Sequence, residues 1–212
     1  MLNWEIIPGP SRYLSVIEQM DELLNKVILD ISKDIVILTE HEHIITGGSG
    51  IRDEEIPANL NILKVGRGGK LTYHGPGQRI IYPIINLNKK PWNRDLKKYL
   101  TFLHNWIIAT LNEFGINGHT REDHPGIWVY NPETACDAKI AAIGVRVKKW
   151  VTYHGISVNL HTDLRRYKDF IPCGIQNLGV TSALECKKPI EFNRFDEALK
   201  KYYKIEIEKV SL

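Results

Sequence analysis

Residues 66–78 read GRGGKLTYHGPGQ, Gly66 through Gln78, and lie between two apolar segments, Ile62 to Val65 and Ile80 to Ile85. The stretch therefore reads as a connection between two buried strands. Gly68-Gly69 lets the backbone take positive φ and come close to a ligand. Gly75-Pro76-Gly77 is a second tight turn, in which Pro76 fixes φ and offers no N–H. Between the turns sit Tyr73, a ring with a polar tip, and His74, a titratable imidazole. Arg67 adds a fixed cation before the first turn. Turn chemistry alone explains one such segment, since isolated glycine motifs are weak signals. It does not explain the second copy, because Thr72-Tyr73-His74-Gly75 recurs as Thr152-Tyr153-His154-Gly155. Two such segments point to one cleft faced by both.

Working outward, Trp4 to Ile7 is a short strand ended by Pro8-Gly9-Pro10. Residues 11–29 carry a helical pattern, with Leu14, Ile17, Met20, Leu24, Val27 and Ile28 near one face and Ser11 as N-cap. Ile35-Val36-Ile37-Leu38 is the continuous apolar run of a buried strand. His41 and His43 follow; with no third ligand nearby they read as a polar strand end rather than a metal site. Residues 51–60 form a surface loop. Asn93 or Asp95 caps a helix reaching Phe114, with Leu96, Tyr99, Leu103, Trp106, Ile107 and Leu111 as its core face and Gly115 in the left-handed position after it. Gly126 to Tyr130 is a strand and Asn131 to Ala138 a polar turn. Lys139 to Val147 and Trp150 to Leu160 make a hairpin joined at Lys148-Lys149. A helix over Phe192 to Tyr203 leads to a short alternating strand, Ile205 to Val210.

The chain has 212 residues, 43% hydrophobic and 25% charged, which suits one globular domain spanning 1–212. A net charge of +3 is too small to argue for nucleic acid but is compatible with acidic protein partners. No apolar run approaches the roughly 20 residues of a membrane span. Three cysteines, with no CxxC and no zinc spacing, read as reduced thiols in an intracellular compartment. The first residues lack the basic start and apolar core of a secretory signal, so a cytoplasmic location is expected. No Walker loop or dinucleotide fingerprint is present, and no cofactor is expected.

Among the thiols, Cys173 stands between Pro172, which stiffens its turn, and Gly174, which leaves the sulfur sterically open. A small buried hydrophobe is the other reading of such a cysteine. A catalytic thiol needs a cation or base to become a thiolate. The candidates are His74, His154 and Lys139. Lys139 opens a strand of small residues (Ala141, Ala142, Gly144); taken alone it reads first as a strand-end lysine with its head in water.

Arg67-Gly68-Gly69, Thr72 through Gln78, Lys139 through Gly144, Thr152 through Ser157, and Ile171-Pro172-Cys173-Gly174-Ile175 with Thr181-Ser182 resemble the octanoyltransferase family, also called lipoate-protein ligase B or lipoyl(octanoyl) transferase. The resemblance runs in the family's order over about residues 35–185. It implies an α/β (α+β) domain, a mixed β-sheet flanked by helices, of the biotin/lipoate protein ligase type. It implies transfer of an octanoyl group from octanoyl-acyl carrier protein to a lysine of lipoyl domains, those of 2-oxoacid dehydrogenases and the glycine cleavage H protein. No metal, nucleic acid or membrane enters that chemistry. The family's acyl-thioester nucleophile falls on Cys173 and its assisting lysine on Lys139. Its acyl-binding segments fall on Arg67, Gly68, Gly69, Lys70, Leu71, Thr72, Tyr73 and His74, on Ala142, Ile143 and Gly144, and on Gly155, Ile156 and Ser157, with His154 beside them. Six buried methylenes at roughly 0.8 kcal/mol each would contribute on the order of 5 kcal/mol to binding. An ATP-dependent lipoate or biotin ligase, or a non-catalytic module that holds acyl carrier protein or a lipoyl domain, are the alternatives.

Overall fold

The computed structural model describes residues 2–122, 124–131, 135–168, 170 and 179–211. The Cys173 turn lies outside the described residues. Strand β1 (Asn3–Ile6) leads to helix α1 (Tyr13–Ile28), then β2 (Ile35–Thr39) and β3 (Ile44–Gly47). Strands β4 (Leu63–Lys64) and β5 (Leu71–His74) bracket the glycine loop, and β6 (Gln78–Ile84) follows its second turn. Helix α2 (Leu96–Asn112) precedes β7 (Ile127–Asn131), β8 (Cys136–Lys148) and β9 (Val151–Asn159). The short β10 (Gly179–Val180) and helix α3 (Phe192–Ser211) come last.

The main sheet has seven strands in the order β1-β2-β6-β9-β8-β10, with β7 also on β8; β4-β3-β5 form a second, three-stranded sheet. Pairing is mixed: β1–β2 and β8–β10 are parallel, while β2–β6, β6–β9 and β8–β9 are antiparallel. All five residues of β2 are buried, as a continuous apolar run in an interior strand requires. Helix α1 covers one face of the main sheet through Val16, Met20, Leu24 and Val27. Helices α2 and α3 cover the other, with Tyr99, Phe102, Trp106, Phe195 and Leu199 in the core. Trp106 Nε1 donates to the Leu199 carbonyl at 2.8 Å and joins the two helices. Arg79 and Asp196, both buried, place a fork-like ion pair between β6 and α3, with Nη2 and Nε each 3.0 Å from a carboxylate oxygen. Among the described residues no helix is long and apolar enough to cross a membrane.

The sequence reading and the structure part in several places. The glycine-rich stretch contains a strand of its own, β5, fully buried and paired with β3, so GRGGKLTYHGPGQ joins two different sheets. The expected terminal strand over 205–210 is instead the end of α3. The stripe Phe195, Leu199, Tyr203, Ile207 and Val210 keeps helical spacing, and no Gly or Pro stops the helix. Ser11 is not a cap; its hydroxyl bonds the Pro8 carbonyl at 2.5 Å, and Arg12 stands at the cap position without a side-chain bond. Leu14 and Leu96 are exposed rather than core, and His41 is fully buried, its Nε2 2.8 Å from the Tyr82 hydroxyl. The β8–β9 hairpin stands, one residue later than expected. It turns through Lys149 and Trp150, whose φ values of 49° and 64° are those of a type I′ turn.

Candidate active site

The two TYHG segments do meet. A narrow slot of about 50 Å³ runs between the glycine loop with β5 on one side and the β8–β9 pair on the other. Arg67, Gly68, Gly69, Lys70, Thr72 and His74 line the first wall, and Ala142, Ile143, Gly144, His154, Gly155, Ile156 and Ser157 the second. Leu71 and Tyr73 alternate to the opposite face of β5 and pack with Tyr167 and Phe170 instead. The slot opens on a cleft of about 800 Å³ that shares Gly68, Gly69, Lys70, Ala142, Ile143 and Gly144 with it and adds Lys139 and the exposed edge of α2.

Arg67 is buried and its guanidinium bonds the backbone and β3. Nε and Nη2 donate to Thr46 Oγ1 at 3.1 and 2.8 Å, Nη2 also to the Thr46 and Lys70 carbonyls at 2.8 Å, and Nη1 to the Gly68 carbonyl at 2.9 Å. Its work is to shape the loop. Lys70 pairs with Glu55 at the surface.

His74 is fixed by Gln78. The Gln78 amide nitrogen donates to the Tyr73 carbonyl and Asn159 Oδ1 at 3.2 and 2.9 Å, so its oxygen must accept from His74 Nδ1, 2.7 Å away. The other ring nitrogen, Nε2, is then an acceptor. Burial, then the charges of His41 and Arg67, hold His74 down to about 3. Burial likewise lowers His41 to about 4, and burial with the Arg67 and Arg146 charges lowers His154 to about 4.

His154 owes its position to a break in the β6–β9 ladder. Pairing runs from Gln78–Asn159 to Ile81–Ile156, stops at Pro83, which has no N–H to give, and resumes with Thr152 N–H to the Ile85 carbonyl at 2.9 Å. In the gap Gly155 lies so close to β6 that a Cβ there would sit 2.1 Å from the Ile81 carbonyl oxygen. His154 takes a φ of 55°, unusual for a non-glycine in a strand, and its N–H turns to Met20 Sδ at 3.3 Å.

Lys139 is 6% exposed, not a strand-end lysine with its head in water. Its Nζ lies 4.8 Å from the centre of the Trp128 ring, directly across the β7–β8 pair. Gly126, at a φ of 122°, lets the stem pass: a Cβ there would come within 3.4 Å of Lys139 Cδ and Cε and 2.6 Å of the Ala141 oxygen. Among the described residues Lys139 makes no ion pair, and a cation held on an aromatic face at the mouth of a slot is suited to stabilising an incoming anion. Cys173 is outside the described residues. Cys136 is exposed and Cys186 partly so, and neither lines the slot. Among the described residues no three His, Cys, Asp or Glu gather as a metal site. Sequence reasoning missed Tyr13, Ile80 and Tyr82, which line the slot, and Trp128 and Gly126, which hold Lys139. Only the three-dimensional pairing brings them there.

The model of the lipoyl protein ligase A/B catalytic domain matches residues 12–204. The octanoyltransferase of Rickettsia rickettsii is 43% identical over 201 residues, 94% of this chain and 96% of its own, and that of Rickettsia felis is 44% identical over the same share of this chain. The chain belongs to the octanoyltransferase family. It is thus an acyltransferase. Its fold is also that of more distant ligases. A bi-partite lipoate protein ligase from Thermoplasma acidophilum aligns with a TM-score of 0.70 at 13% identity over 97% of this chain and 83% of its own. Biotin protein ligase from Aquifex aeolicus aligns with a TM-score of 0.54 at 13% identity over 99% of this chain and 70% of its own.

The three lowered imidazoles give the chain a testable pH signature. In the unfolded chain these rings take up protons near about 6.5; in the folded chain they resist protonation until pH 4 to 3. Stability is therefore full above about pH 6.5 and is lost as pH falls toward 4, on the order of 2 kcal/mol per ring by pH 5. Urea midpoints at pH 7 and pH 5 measure this; equal midpoints would contradict a neutral buried cluster.

Proposed function

We propose that this octanoyltransferase takes an octanoyl group from octanoyl-acyl carrier protein, holds it as a thioester on Cys173, and passes it to a lysine amine of lipoyl domains, those of 2-oxoacid dehydrogenases and the glycine cleavage H protein, in the cytoplasm. The observation that carries the reading is Lys139, a buried cation at the slot mouth, beside the small-residue edge of Ala142 to Gly144. The family membership and the naming of its relatives support it, as does the lipoate ligase of Thermoplasma acidophilum, described together with its E2 lipoyl domain.

The chemistry has two balanced halves. A Cys173 thiolate adds to the thioester carbonyl, and the carrier's thiolate leaves and takes up a proton. A lysine amine then adds to the Cys173 thioester, an amide forms, and the Cys173 thiolate departs; the amine's proton passes to a base. A Lys139 ammonium favours the attacking thiolate, and the neutral amine accepts the proton in the second half. Exchange between thioesters is close to balanced, so activating the sulfur matters more than driving force. The acyl chain lies in the slot, which at about 50 Å³ must widen to take all of it.

Cys173→Ala is expected to abolish transfer in a carrier-to-lipoyl-domain assay while the circular dichroism stays native; retained transfer would remove the nucleophile, and transfer from free octanoate with ATP would make the protein a ligase. Lys139→Ala is expected to slow alkylation of Cys173 at neutral pH by about tenfold or more, followed by peptide mass. An unchanged rate takes Lys139 out of the mechanism.

A further inference from the structure

The slot is not equally apolar along its length. Its mouth is the part shared with the outer cleft, Gly68 to Lys70 and Ala142 to Gly144. The residues it does not share include Tyr13, Ile80, Tyr82 and His154, each no more than 4% exposed, and we take this buried group as its far end. Tyr13 is the wall there, since its other side faces a separate surface cleft at the start of α1.

That far end carries polar atoms that are short of partners. His154 Nδ1 is buried with no hydrogen-bond partner among the described residues, and Tyr13 Oη, also buried, makes no hydrogen bond of ordinary geometry among them. The Tyr82 hydroxyl beside Tyr13 is engaged by His41 Nε2 at 2.8 Å and offers Tyr13 a weak contact, short of a hydrogen bond of ordinary geometry. The rings form one cluster, with centroids 4.8 Å apart for Tyr13 and His41, 6.0 Å for Tyr13 and His74, and 6.3 Å for Tyr82 and His154. His154 is held there by a strained backbone, which a merely space-filling residue would not need. An end built for a methyl group alone would be lined by aliphatic side chains and stay dry. Buried donors and acceptors instead call for water or a ligand's polar atom. A water needs two to four polar partners and about 10–15 Å³; the slot offers about 50 Å³.

We propose that the far end of the slot is a wet, polar stop that sets the upper limit on acyl length, with Tyr13 and His154 as its specificity-determining residues. The proposal rests on the acyl-slot reading above. A chain that ends short of the stop leaves its water in place. A chain two methylenes longer gains apolar burial but must expel that water and press methylenes against polar atoms short of partners. An acyl chain with a terminal hydroxyl can take the water's place.

The test is binding rather than turnover, so it does not depend on chemistry at Cys173. Isothermal titration uses octanoyl, decanoyl and 8-hydroxyoctanoyl pantetheine analogues with an amide in place of the thioester. The wild-type protein is expected to bind the octanoyl amide about tenfold more tightly than the decanoyl amide, and Tyr13→Phe to shrink that ratio by about threefold or more. In the wild type the terminal hydroxyl is expected to weaken binding by less than about tenfold, whereas a dry apolar stop would impose more. A ratio that moves less in Tyr13→Phe, or no preference for the shorter chain, overturns the proposal. A hydroxyl cost above that limit overturns it even if Tyr13→Phe fails to fold. Failure of all three to bind overturns it together with the acyl slot. Binding in the expected order with no acyl group ever found on Cys173 would sink the thioester reading alone.

Discussion

The slot exists because one guanidinium is buried between a loop and a strand. Taking Arg67 out of water is costly unless its donors are met, and they are met by Thr46 of β3 and by the carbonyls of Gly68 and Lys70. That requirement pins the glycine loop to the small sheet and holds its backbone opposite Ala142 to Gly144. The same charge reaches further. After burial, the larger cause, it is among the charges that keep His74 and His154 unprotonated, so one residue shapes the slot and adds to the neutrality of its walls.

Energetically the slot is narrow at rest. On the proposed reading, the burial of an eight-carbon chain, on the order of 5 kcal/mol at most, has to exceed the cost of parting side chains that are in contact at about 50 Å³. Room for that movement lies on the side of the outer cleft, whose lining from α2 includes the exposed Leu96. A leucine that departs from its helix's core face is thereby accounted for by position rather than by packing.

Much of this was legible in the chain. The repeated TYHG segments, the glycine turns and the small residues after Lys139 are local signals, and each maps to a local structure: two walls and a mouth. The main strands and helices followed from periodicity. What escaped had non-local causes. Strand β5 hides in a glycine-rich stretch because its pairing with β3 is decided by the other sheet. The end of α3 alternates like a strand, yet Tyr203, Ile207 and Val210 meet the core at helical spacing. Trp128 lies eleven residues before Lys139 and meets it only through the β7–β8 register. Tyr13 and Tyr82 come from α1 and β6 and carry no motif at all.

The most direct measurement of the central claim is intact mass after incubation with octanoyl-acyl carrier protein, followed by peptide mapping. The account expects a gain of about 126 Da, one octanoyl group replacing one hydrogen, on the peptide that contains Cys173 and lost when a lipoyl domain is added. An unchanged mass under conditions in which the lipoyl domain becomes octanoylated would contradict it.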